Sequence, residues 1–273
     1  MNGNTALNSL TNISICYIMF TEKSSKYNAK DDIMNEEARI PQKYKILSGS
    51  MLKVIALVTM LIDHTTAAII GSMITDIYDT SDKYVIMYNI LRGIGRIAFP
   101  IYAFLLTEGY VHTHDRKKYG ISLLIFAAVS EIPWNLCHAG TVRWENQNVF
   151  FTLFLGYLGI CLYEKYKSSI IKVTACLVPI FVVTLFLKAD YGCTGFCFIL
   201  MVYILRDKPF IRAIIGSGLL SSTWKAGCAF IPIALYNGKR GFIKGKILKY
   251  LFYIIYPAHM LLLYFIKNKY FGY

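Results

Sequence analysis

A chain of 273 residues that is 56% hydrophobic and 15% aromatic, with a mean hydropathy of +0.46, is far more apolar than an ordinary soluble domain. Its net charge of +13 would suggest a nucleic-acid partner in a soluble protein, but the lysines and arginines sit in short connections between apolar runs, where they orient membrane helices. Composition and charge placement therefore exclude a soluble nucleic-acid-binding domain and put the chain among multi-spanning proteins of the lipid bilayer.

Residues 1–47 are polar and rich in Asn, Ser and Lys, and their apolar run at 13–20 is too short to span and has no basic region before it. They read as a cytoplasmic, poorly ordered extension, with Met34 or Met51 as alternative starts, ahead of a membrane domain over 48–273. Hydropathy predicts helical spans over 52–74, 84–108, 119–138, 149–163, 173–187, 192–205, 211–224, 226–236 and 250–266. The seventh and eighth are short enough to be re-entrant. The connections at 112–118, 164–172, 206–212 and 237–249 are basic, whereas that at 75–83 is acidic and those at 139–148 and 188–192 are mixed. With the basic connections inside, every one fits an all-α polytopic bundle of about nine spans with a cytoplasmic amino terminus.

The seven cysteines fall mostly inside apolar segments, and none is spaced Cys-x-x-Cys. They read as small buried hydrophobes, so neither a metal site nor a disulfide framework is expected.

Against this apolar background, the second span carries Arg92 and Arg96 one helical turn apart, with Pro100 at its middle. A charge near the bilayer centre costs at least about 3 kcal/mol, so such residues face a bundle interior or a wet cavity. At about 1.5 Å rise per residue, His64, Arg96, Glu131 and His259 come to lie roughly 15–18 Å from the inner face, one level near the bilayer centre. Four ionisable residues from four spans at one depth are a poor way to hold helices together and a good way to build a site.

The residue types suggest group transfer. His64 can take a proton from an amine or hydroxyl near neutral pH. Asp63 and Glu131 are candidate partners for it, and Glu131, on another span, is the better placed because Asp63 projects about 100° away around the same helix. Arg92 and Arg96 on one face suit a phosphate or carboxylate. His112 and His114 lie in a solvated basic loop, and the Gly-x-Gly and Gly-x-x-Gly spacings read as helix contacts, because none follows a strand.

Several motifs in order, LKVIALVTMLIDHTTA, LRGIGRIAFPIYAFLLTEGYVHTHDRKKYGISLLIFAAVSEIPWNL, QNVFFTLFLGYLGI, DYGCTGF, LYNGKRG and KYLFYIIYPAHMLLLY, resemble the TraX family of integral membrane proteins. That family is named for the conjugation enzyme that acetylates the amino terminus of F pilin, and is similar to a wider group of transmembrane acyltransferases. The resemblance implies a multi-pass protein of the bacterial cytoplasmic membrane that uses acetyl-CoA as co-substrate and a peptide or protein amino terminus as acceptor. By position, it implies that His64 in IDHTT activates the acceptor or passes the acetyl group, and that Arg92 and Arg96 in RGIGR line the acyl-CoA site. It also brings in Glu131 in SEIPWN, Asn148 in QNVFFT, Asp190 and Tyr191 in DYG, and His259 in YPAHM. The anionic head of acetyl-CoA is expected against Arg116, Lys117, Lys118, Lys239 and Arg240. The rival reading is a transporter or flippase for an anionic solute, with the same arginines as its clamp.

Overall fold

The computed structural model describes residues 41–74, 82–143 and 146–272. The expected amino-terminal extension, apart from its last residues, and most of the acidic connection at 75–83 lie outside the described residues. Among the described residues the chain is helical throughout, with two isolated bridges, Leu47 to Tyr236 and Gln147 to Ala189, and no strand.

Ten α-helices follow in order: α1 (Gly49–Thr65), α2 (Lys83–Gly95), α3 (Ala98–His112), α4 (Arg116–Ala139), α5 (Val149–Tyr166), α6 (Ile170–Leu187), α7 (Gly192–Ile204), α8 (Pro209–Leu219), α9 (Phe230–Ala234) and α10 (Lys246–Phe271). Their starts are chemically marked. The side chains of Ser48, Asp82, Asp115 and Asn148 accept hydrogen bonds from backbone N–H groups in the first turns of α1, α2, α4 and α5, and Pro209 opens α8. Gly140, in the left-handed conformation at φ 67°, closes α4.

Among the described residues six segments are long and apolar enough to cross a membrane: Gly49–Met73, Lys83–His112, Arg116–Ala139, Val149–Tyr166, Ile170–Leu187 and Tyr250–Phe271. The remaining three apolar helices, Gly192–Ile204, Pro209–Leu219 and Lys225–Ala234, are shorter. The protein is thus an all-helical membrane bundle. The expected seventh and eighth spans form α8, a 3-10 stretch at Ser221–Ala229 and the five-residue α9; at about 1.5 Å per residue none of these helices crosses a core of about 30 Å alone.

Two irregularities shape the centre. The second span is two helices rather than one, because Pro100 has no N–H to donate to the carbonyl of Arg96 and its ring crowds that carbonyl. Ile97 N–H turns instead to Ile94, at 3.2 Å. The first span changes to a π-helix at Thr66–Ile70, directly after Asp63, His64 and Thr65. Such interruptions of α geometry gather at functional sites.

At the middle lies α7, buried on all sides from Gly195 to Tyr203. α5 packs against it, α4 lies between α5 and α10, and α1 lies against α2 and α3. By contrast α6 presents Phe186, 82% exposed, outward, as a lipid-facing helix does.

Candidate functional site

A cavity of about 540 Å³ runs down the inside of the bundle. Its wide end is bordered by Gly49 and Lys53 from the first turns of α1, Glu108, His112 and Thr113 at the end of α3, Tyr119 in α4, and Gly238 and Arg240 before α10. Its deep end is bordered by Asp63, His64, Gly95, Phe99, Asp190, Tyr191 and Tyr256. Lys53 and His64 are eleven residues apart on α1, so the cavity descends about 16 Å from a cationic mouth to the level of the ionisable cluster.

At that level His64 meets His259 of α10, the Nδ1 atom of His64 standing 2.7 Å from Nε2 of His259. The ring planes differ by 2°, and the 5.0 Å centroid separation equals that bond plus the two ring radii, so the rings lie edge to edge in one plane. Trp134 and Tyr256 stand edge-on to His64, with ring centroids 6.1 and 5.7 Å away, and help fix its plane. The expected partnership with Glu131 is not formed. Glu131 accepts from Asn135 Nδ2 at 2.8 Å, and from the side chain and backbone N–H of Asn148 at 2.7 and 3.2 Å. Those donors occupy both carboxylate oxygens, and Glu131 ties α4 to the start of α5.

Asp63 turns away from His64 and pairs with Arg92, Nη1 to Oδ2 at 2.5 Å, while the same guanidinium donates to the Asp63 carbonyl at 3.4 Å. Gly95 permits this, because a Cβ there would lie 2.6 Å from Cγ of Asp63. Arg96 donates to the Tyr191 hydroxyl at 3.3 Å and lies over that ring, 5.7 Å from its centroid. Tyr191 holds a left-handed backbone at φ 64° and stacks on Phe99 with centroids 3.8 Å apart, so a strained residue supplies the wall of the deep end. Asp190 beside it is held by its backbone: its N–H donates to Gln147 at 2.9 Å, and its carbonyl accepts from Thr152.

The two arginines thus stand behind the cavity lining, each engaged by a neighbour. Arg116, Lys117 and Lys118 begin α4 and do not border the cavity; Arg116 lies over the Tyr110 ring at 4.5 Å. Lys53 and Arg240 border the mouth instead. Lys53 is the fifth residue of the first apolar helix, a position from which a long side chain runs along the bundle. Tyr256 is not among the residues expected from the sequence: it is 3% exposed and borders the cavity, and its hydroxyl, faced by the backbone N–H of Val149, donates to no partner among the described residues. Such an orphan in a cavity wall is a donor kept for something that enters.

A half-buried imidazole pair at the floor of an internal cavity, inside a polytopic helical bundle, defines a membrane protein with an ionisable site within its helices. The family model described as TraX protein matches residues 48–267, and the chain belongs to that family. It is also similar to the probable fimbrial assembly protein FimC, serogroup H1, of Dichelobacter nodosus, with 27% identity over 245 residues that cover 79% of this chain and 94% of that protein. No solved structure matches it.

Proposed function

We propose that this protein is an integral membrane acetyltransferase that moves an acetyl group from acetyl-CoA to an amine, the amino terminus of a pilin-like peptide or protein. The observation that carries the reading is the cavity itself, which joins Lys53 and Arg240 at its mouth to His64 at its floor. The membership in the TraX family and the fimbrial assembly protein among its relatives support the choice of acceptor.

In this reading the phosphates of acetyl-CoA stay at the mouth on Lys53 and Arg240, the extended arm descends between Tyr102, Leu106 and Tyr253, and the thioester lies beside His64. The incoming amine attacks the thioester carbonyl, so an N–C bond forms and the C–S bond breaks. His64 takes the proton that the amine loses, and passes it to the departing thiolate. The Tyr256 hydroxyl, whose hydrogen has no other acceptor among the described residues, donates to the oxyanion of the tetrahedral intermediate. Arg92 and Arg96 act through Asp63 and Tyr191, holding the walls of the deep end. The cationic mouth faces the cytoplasm, where acetyl-CoA is made.

The test is release of free CoA by the purified protein, offered acetyl-CoA and short peptides with free amino termini, beside His64→Ala. Wild type is expected to release CoA and yield an acetylated peptide by mass spectrometry, with His64→Ala slower by about 10²-fold or more. Failure of both to bind acetyl-CoA overturns the reading and favours transport of an anion.

A further inference from the structure

The geometry points to His259 as the residue that sets which ring nitrogen of His64 carries the proton. Its catalytic consequence rests on the acetyltransferase reading; the proton's position does not.

The inference starts from the carbonyl of Ile255, which can only accept. Nδ1 of His259 lies 2.8 Å from it, one helical turn back on α10, and therefore bears a hydrogen. A neutral His259 then has a lone pair on Nε2. The 2.7 Å contact to His64 Nδ1 needs one hydrogen between the two nitrogens, and His64 must supply it. His64 is thereby held as the Nδ1–H tautomer, with its Nε2 lone pair left over. Only a cationic His259 would reverse the arrangement. That places a charge at mid-membrane with no carboxylate on it among the described contacts, against His64, whose neighbour Asp63 already holds the Arg92 cation on its carbonyl. The neutral chain, Ile255 carbonyl to His259 to His64, is therefore the one that forms.

The consequence is directional. His64 borders the cavity and, among the described residues, has no hydrogen bond besides that to His259, so its unprotonated Nε2 is the atom offered to an acceptor amine. Free histidine in water favours the opposite tautomer, which would put a hydrogen there and no base. His259 is a positioning residue: it touches neither acceptor nor thioester in this scheme, yet without it the general base is set the wrong way round. The helix supports this role, since Pro257 lies two residues away, and Tyr256, on the same turn, stands edge-on to both rings at 5.7 and 5.6 Å.

The experiment is ¹³C and ¹⁵N NMR of histidine-labelled full-length protein in micelles. The chain has only five histidines, and the His64 signals are identified by their loss in His64→Ala. Wild type is expected to show His64 as Nδ1–H. In His259→Leu it reverts to mainly Nε2–H, whereas His259→Gln, whose amide oxygen can accept and whose NH₂ can reach Ile255, retains Nδ1–H. Turnover is measured alongside: His259→Leu should lose about 10²–10⁴-fold in kcat with KM for acetyl-CoA little changed, and His259→Gln should recover most of it. His64 as Nε2–H in wild type overturns the inference, as does an unchanged tautomer in His259→Leu. If the tautomer switches as expected while wild type shows no turnover, the pairing stands and the acetyltransferase reading falls. His259→Gln is also the variant that keeps the test alive should His259→Leu fail to fold.

Discussion

Gly95→Ala is a one-carbon change with a sign that depends on Asp63. In an open helical position the substitution would stabilise by up to about 1 kcal/mol, because alanine restricts the unfolded chain and favours helix. At position 95 the added Cβ lies 2.6 Å from Cγ of Asp63, on backbone that is held in a tight break before Pro100. The same Cβ would lie closer still to Cβ of Asp63, which no side-chain rotation moves, so the backbones of α1 and α2 must separate, at about 1–3 kcal/mol for overpacking. The Asp63–Arg92 pair spans that contact, with side chains 11% and 21% exposed, and is loosened with it, which adds to the loss. With the loosened pair added and a helical gain of up to about 1 kcal/mol subtracted, destabilisation of about 1–4 kcal/mol is expected, or roughly 3–15 °C in a thermal melt in micelles. The control is Gly218→Ala in α8, where a Cβ meets nothing within 4 Å and the melt should hold or rise. A Gly95→Ala protein that melts within a degree of wild type would refute the account of how Asp63 is accommodated.

Three other expectations follow from contacts already described. Lys53→Ala with Arg240→Ala should raise KM for acetyl-CoA about tenfold or more and leave kcat nearly unchanged; a larger effect from neutralising Arg116, Lys117 and Lys118 would move the mouth to that loop. Tyr256→Phe should cost little in melting temperature, because the hydroxyl donates to nothing and only the backbone N–H of Val149 faces it, while kcat falls about 10²–10³-fold; equal kcat would remove Tyr256 from the chemistry. Asn148→Ala strips donors from the buried Glu131 and the cap from α5, so a loss of about 2–4 kcal/mol is expected by thermal melt, greater than for Asn135→Ala, which leaves the cap intact.

How much of this could be read from the chain alone varies by residue. Depth counting along helices is robust, because rise per residue hardly varies; it put His64 and His259 on one level, and they touch. Direction around a helix is less secure. Glu131 was expected on His64, but Asn135 stands one turn from it on the same helix and Asn148 caps the next, so closer donors claim it. The arginines were expected to face a ligand; Pro100 breaks the span at Arg96 and rotates the two helices, which carries one guanidinium to Asp63 and the other to Tyr191. The middle of the cavity has no sequence signal, since the walls between its two ionisable ends are aromatic and aliphatic residues such as Tyr102, Leu106 and Tyr253, which differ from lipid-facing ones only in where they point.

The Glu131–Asn148 contact also fixes how α5 is threaded. The backbone and side chain of Asn148 are fastened to α4, and Gln147 is paired with Ala189 and Asp190 across the bundle. The register of α5 is thus set at its cap, by Asn148, by Gln147 and by the carbonyl of Asn146, which accepts from Trp134 Nε1 at 3.1 Å. Lengthening a connection costs about 0.6 kcal/mol per doubling, so an epitope or a reporter domain inserted after Thr141, ahead of those anchors, should leave the helices in register.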